Sequence, residues 1–145
     1  MKKNIYEILD EFKAAKNETE RRKVLVDNAT PDLIAFLQLA FSPSVKFTIK
    51  EAAYKPSNAP AGMGYTNMGN AIKKSYLFIE GHPKRAAALT EEKTKLLLTQ
   101  ILESLEAREA EMYVAMLKKQ VKVPNLTLKL LEKTFPGFLE TPIKL

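Results

Sequence analysis

"MLKKQVKVPNLTLKLLEKTFPGFL", Met116 to Leu139, carries five lysines and a single glutamate, a Val-Pro-Asn break in its middle and a closing Phe-Pro-Gly-Phe. Pro124 lacks an amide hydrogen and its ring clashes with the preceding turn, so a helix arriving from the amino-terminal side stops before it. Asn125 is one of the few residues with a side chain that tolerates a left-handed backbone. The stretch therefore reads as helix, tight corner and short helix, the last spanning about Thr127 to Thr134. It sets the class expected of the whole chain: all-α, a compact domain of about seven helices.

Working outward, each further helix has its own start signal and apolar spacing. Ile5, Ile8, Leu9 and Phe12 recur at helical intervals behind a capping Asn4. After "KNETE" a second helix runs through Arg21 to Asp27, with Val24, Leu25 and Val26 as candidates for its inner face. Thr30-Pro31 opens a third through Leu33, Ile34, Phe36, Leu37 and Phe41, stopped by Ser42-Pro43. A helix over about Asn67 to Ile79 follows, then a turn at "EGHPKRAA". Thr90-Glu91-Glu92-Lys93 opens the next, for which Leu96, Leu97, Ile101, Leu102 and Leu105 are the expected buried face. Another covers about Glu106 to Lys119. No repeat of 20 to 50 residues is visible.

Residues 42–66, "SPSVKFTIKEAAYKPSNAPAGMGYT", contain Pro43, Pro56, Pro60, Gly62 and Gly64, which forbid a continuous helix. Val45, Phe47, Ile49 and Tyr54 can anchor such a segment, so it is expected as one long ordered loop lying along the helices, with a short strand-like or helical piece. Residues 136–145 form a carboxy-terminal tail. The 145 residues suffice for one domain with a substantial core, so a single helical domain over 1–145 is expected.

With 46% hydrophobic and 28% charged residues the composition is that of an ordinary globular chain. No apolar run approaches the roughly 20 residues of a membrane span, and "MKKNIYEILDEF" lacks the apolar core of a signal peptide. A cytoplasmic location is the expectation. The absence of cysteine excludes disulfides, thiolate metal sites and a cysteine nucleophile.

The net charge of +6 is unevenly placed. Residues 41–85 carry seven basic against two acidic side chains and residues 118–135 five against one, whereas residues 86–117 carry three against six. Two basic blocks separated by an acidic one can converge in the fold into a single positive face, for which a polyanion is the natural partner. At the corner, Lys118, Lys119 and Lys122 precede Pro124, and Lys129 and Lys133 stand one turn apart beyond it. Backbone amides near Leu126 to Leu128, with the hydroxyl of Thr127, offer a place for a phosphate. The same residues can equally be a solvated corner over packed leucines. Lys46, Lys50 and Lys55 supply the second block.

Chemistry of other kinds is missing from the sequence. His82, the one histidine, sits in "GHPKR" as a turn residue. There is no HExxH, GxSxG or phosphate-loop motif. Glu103, Glu106, Glu109 and Glu111 read as an exposed helical stripe. "AGMGYTNMG" (Ala61 to Gly69) has the glycines of a phosphate-gripping loop without its spacing or lysine. Met112 and Met116 read as core filler. No catalytic residue, metal ligand or cofactor is assigned.

The succession of an acidic, apolar helix, a basic turn, a threonine-containing short helix and a closing Phe-Pro-Gly-Phe-Leu resembles the end of the amino-terminal DNA-binding domain of phage ATP-dependent DNA ligases. "IYEILDEFKAAKNETERRKVLVDN" resembles the start of that domain, and "GMGYTNMGNAI" falls where the family has a glycine-containing loop entering a helix. The likeness spans nearly the whole chain. Its specific features are Pro136-Gly137 and the basic hinge, in which Asn125 replaces a family glycine. The resemblance implies an all-helical module that grips duplex DNA through the minor groove, contacting phosphates without reading sequence. It places Lys118, Lys119, Asn125, Thr127, Lys129 and Lys133 in the matching hinge and Lys46, Lys50 and Lys55 in a second patch.

In the family an adenylation domain with a Lys-x-Asp-Gly motif would follow Gly137, whereas this chain runs only to Leu145. The expectation is a non-catalytic, free-standing relative or a piece of a split enzyme, phage-derived and acting in replication, repair or recombination in the host cytoplasm. The alternative is an interaction adaptor that has kept the fold and docks onto a protein partner through Phe138, Leu139, Ile143 and Leu145.

Overall fold

The computed structural model describes residues 3–60 and 66–145. Those residues form seven α-helices: α1 (Ile5–Ala14), α2 (Glu18–Asp27), α3 (Pro31–Phe41), α4 (Met68–Lys73), α5 (Glu91–Ser104), α6 (Ala107–Leu117) and α7 (Leu128–Thr134), with one 3-10 turn at Ser75–Phe78. No strand occurs among them. Extended pairing is limited to a single antiparallel bridge between Phe47 and Ile79. The all-helical expectation is met.

Side-chain caps define the starts. Thr30 Oγ1 accepts from Leu33 N, Thr90 Oγ1 from Lys93 N and Thr127 Oγ1 from Leu130 N, while Asn17 Oδ1 accepts from Glu20 N and Asn67 Oδ1 from Asn70 N. Each satisfies one amide that the helix itself leaves unpaired. α3 is the central element, buried at every position from Ala35 to Ala40 and packed on α4 and α6. Around it lie Phe12 of α1, Leu98 and Leu102 of α5, Tyr113 and Met116 of α6 and Leu131 of α7. Phe78 meets Tyr113 edge to face, with centroids 6.4 Å apart.

Four local expectations are corrected. Val26 is 55% exposed, and Leu25 is the only buried residue of α2, which is polar nearly all round. In α5 the run Leu96-Leu97-Leu98 hides its phase: successive residues turn by about 100°, so Leu96 and Leu98 lie on opposite sides. The core takes Leu98, with Thr94, Ile101 and Leu102, and leaves Leu96 55% exposed. The helix expected over Asn67 to Ile79 breaks at Lys74. There Ser75 Oγ donates back to Ala71 O and shares a hydrogen bond with Tyr113 Oη, and the chain tightens into the 3-10 turn.

The fourth correction concerns the carboxylate stripe. Glu103 and Glu111 are exposed, but Glu106 and Glu109 are buried. Tyr6 Oη donates to Glu106 at 2.9 Å, and Met68 N donates to Glu109 Oε2 at 3.2 Å. Burial raises the Glu109 pKa, the Met68 amide opposes that rise and the nearby Glu106 adds to it. These acids tie α6 to α1 and α4.

The tail folds back. Gly137 takes a left-handed φ of 78°, which a residue without Cβ adopts freely, and turns Phe138 into the core at 3% exposure. Buried Gln38 of α3 donates through Nε2 to Phe138 O and Thr141 O, Ile143 and Leu145 pack on the core, and Lys84 Nζ donates to Leu145 O. The apolar residues that the adaptor alternative would dock onto a partner are therefore engaged within the chain, apart from Leu139 at 38% exposure.

Candidate functional site

The basic corner begins where α6 ends. Gln120 N donates to Ala115 O and Lys119 N to Met116 O, the paired bonds of a helix stop that needs one left-handed residue. That residue is Lys119, with φ 58°, where glycine is usual. A left-handed conformation with a Cβ costs roughly 1–2 kcal/mol, so the surroundings must hold Lys119 there. They do: Lys119 Nζ donates to Leu39 O at 2.6 Å and Ser42 O at 2.8 Å, and lies 5.6 Å from the centre of the Phe47 ring. Its ammonium caps the carboxy-terminal end of α3, where the helix leaves carbonyls unpaired and the dipole favours a cation. Burial lowers its pKa to about 8, so it remains protonated at pH 7.

Lys119 was expected at the phosphate-binding surface; the structure turns it inward, because the helix end and the aromatic ring offer a half-buried cation more than solvent does. Val121 and Leu126 are buried beyond it, Pro124 is exposed, and Asn125 takes a left-handed φ of 70° as its residue type suggested. Leu126 N is not free: it donates to Val123 O at 3.0 Å. The Thr127 hydroxyl is engaged as the α7 cap. Of the amides expected to await a phosphate, that of Leu126 is therefore occupied, and the Thr127 hydroxyl oxygen serves the Leu130 amide.

The loop over 42–66 behaves as a strap, as far as residue 60. Its burial alternates: Val45, Phe47 and Ile49 face inward, and Lys46, Thr48 and Lys50 face solvent. The chain bends at Thr48, between Lys46 and Lys50. Thr48 N donates to Phe78 O and Glu80 N to Lys46 O. Farther on, Lys118 pairs with Glu51 at 3.0 Å, Thr99 Oγ1 donates to Ala53 O, and Lys55 N donates to Glu103 Oε2, so the strap crosses the end of α6 and runs beside α5. Tyr54 is half-buried, its pKa raised by burial and by Glu111. The glycine-rich segment expected at 61–65, Tyr65 included, lies outside the described residues.

Lys118 and Lys119 thus join the two basic blocks. On the far side of the corner, Lys133 pairs with Glu18 of α2 at 3.0 Å, a hydrogen bond that lowers the Glu18 pKa. Arg22 donates from Nε to Thr134 Oγ1 and from a terminal nitrogen to Lys133 O, capping the end of α7. Of the ten residues assigned to the site, Lys46, Lys50, Lys55, Lys122 and Lys129 are exposed with no ion pair among the described residues. Lys118 and Lys133 are exposed or half-buried in ion pairs that solvent makes weak. Glu51, Glu18 and Arg22, which organise this surface, escaped the sequence reading because their roles depend on partners far along the chain.

Other features are structural. His82 Nδ1 accepts from Lys84 N in its turn. A cavity of about 170 Å³ is bordered by Asp32, Asn67, Gly69 and Glu109. Gly69 approaches Asp32 so closely that a Cβ would lie 2.6 Å from Asp32 Oδ2. No group of three or more histidine, cysteine or acidic side chains able to hold a metal ion occurs among the described residues. Among the described residues no helix is long and apolar enough to cross a membrane.

Residues 8–123 match the model of a family of unknown function, DUF6433, and the chain belongs to that family. The matched region takes in the strap, α6 and the first half of the corner, ending one residue before Pro124. No match was found among curated proteins or among solved structures.

Proposed function

We propose that the protein is a non-catalytic module that holds duplex DNA without reading its sequence, gripping the phosphate backbone with the strap lysines Lys46, Lys50 and Lys55 and the corner lysines Lys122 and Lys129. The observation that carries this reading is the junction of the two basic segments: the Lys118–Glu51 ion pair and the Lys119 hydrogen bonds bring the strap to the corner. Solvent-exposed ammonium groups with no carboxylate partner are what a polyanion recruits, through release of its condensed counterions. Lysines acting as point charges on phosphates position a duplex and carry no base information. The resemblance to the DNA-binding domain of phage DNA ligases points the same way and suggests a phage protein of replication, repair or recombination.

The test is charge reversal at the corner. K122E/K129E should weaken binding to every duplex alike and make the dependence of affinity on salt shallower, while the unfolding midpoint stays nearly constant, since both side chains are exposed. Wild-type affinity in the double variant would leave the corner as a solvated turn and make the adaptor reading the better one.

A further inference from the structure

We propose that Lys119 is the positioning residue that clamps the basic strap to the corner, so that Lys46 and Lys50 reach a phosphate backbone only while its ammonium holds the carbonyls of Leu39 and Ser42. This deepens the DNA-binding reading and rests on it.

Three attachments converge on one ammonium at the place where the chain leaves α3. Leu39 O lies in the last turn of the helix, and Ser42 O also accepts from Val45 N in the turn that starts the strap. Phe47, beneath the same ammonium, flanks Lys46 on its other side. The neighbouring Lys118 pairs with Glu51, directly after Lys50. The side chains of two consecutive residues therefore bracket the segment that presents Lys46 and Lys50 to solvent. Lys118 is the weaker bracket, since Glu51 is exposed and water competes for the pair. Lys119 is the stronger, being half-buried, and it occupies a left-handed position for which glycine would be the unstrained choice. A lysine stands there in spite of its backbone, and its side chain makes contacts that glycine cannot. Charge-assisted hydrogen bonds to carbonyls at a helix end are among the stronger polar contacts a surface lysine can make.

The glycine preference of the turn makes a clean experiment possible. K119G keeps the left-handed helix stop and removes the ammonium; K119M keeps the stem and removes only the charge. Both are compared with K46A/K50A and with the triple variant K46A/K50A/K119G as full-length proteins at pH 7, each shown to be folded by circular dichroism. Duplex affinity is followed by fluorescence anisotropy over a salt series.

Each phosphate contact contributes about 0.9 to the log-log salt slope, or about eightfold in affinity at 0.1 M salt. K46A/K50A should therefore lower the slope by about 1.8 and the affinity about 60-fold. K119G and K119M should each reproduce most of that loss, and the triple variant should be no weaker than K119G, because a freed strap has no contribution left to lose. A K119G protein with the wild-type slope, or a triple variant in which the losses add, would overturn the proposal. Amide hydrogen exchange at Thr48 and Glu80, whose N–H groups bond Phe78 O and Lys46 O, reads the clamp without DNA. It should speed up at least tenfold in K119G; unchanged exchange defeats the clamp. Should wild type fail to bind any duplex while K119G still speeds exchange, the DNA reading alone is lost.

Discussion

Replacing Phe138 by alanine decides whether the closing Phe-Pro-Gly-Phe belongs to the core or to a partner. The ring is 3% exposed and belongs to the cluster that includes Phe36, Leu37 and Leu131. Burying an aromatic side chain removes about 200 Å² from water, which at about 25 cal/mol per Å² is worth about 5 kcal/mol. Measured truncations of buried phenylalanine fall at about 3–5 kcal/mol. The hydrogen bonds from Gln38 go to backbone carbonyls and survive the change, as does the turn at Gly137, so the loss should be that of packing alone. For a chain of this size it corresponds to a fall of roughly 10–15 °C in the unfolding midpoint. Thermal denaturation followed by circular dichroism at fixed salt and pH measures it. A midpoint within about 2 °C of wild type, equivalent to less than about 1 kcal/mol, would mean that the tail detaches without penalty and is available to a protein partner.

Glu109 gives the fold a pH signature. Burial raises its pKa, so the folded chain holds that proton more tightly than the unfolded one; the resulting stability is present below the unfolded value near 4.5 and is lost as pH rises through the raised folded value. E109Q keeps an acceptor for Met68 N and escapes that loss: it should be more stable than wild type to urea at pH 7 and no more stable at pH 4. A difference between the two proteins that does not change with pH, or has the opposite sign, would show that Glu109 is not held in this way. Incubation of the protein alone with radiolabelled ATP and magnesium should yield no labelled protein–AMP adduct, because the Lys-x-Asp-Gly motif to which ligases attach AMP does not occur in the sequence; a labelled band would reverse the non-catalytic reading.

The helices were legible because their signals are local. Thr30-Pro31, Thr90 and Thr127 cap where a threonine before an apolar run should, and the Val-Pro-Asn corner turns at Asn125 with a positive φ, as its residue type allows. Failures arose where the deciding partner lies far away in the chain. Leu96 and Leu98 are equivalent in composition, and only the position of the core separates them. Glu106 and Glu109 share the charge of Glu103 and Glu111; Tyr6 and Met68, about a hundred and about forty residues away, draw the first two inside. Lys119 illustrates the limit most sharply. Counting charges treats it as one of five equivalent corner lysines, whereas the end of α3 takes it out of solvent and makes it a structural cation.

The central claim is that the joined basic surface binds duplex DNA through phosphates, and the salt dependence of wild-type binding tests it most directly. With Lys46, Lys50, Lys55, Lys122 and Lys129 each neutralising one phosphate, log affinity against log salt should fall with a slope of about −4 to −5, and two duplexes of unrelated sequence should superimpose. A slope near zero, or tight binding confined to one of the two duplexes, would contradict it.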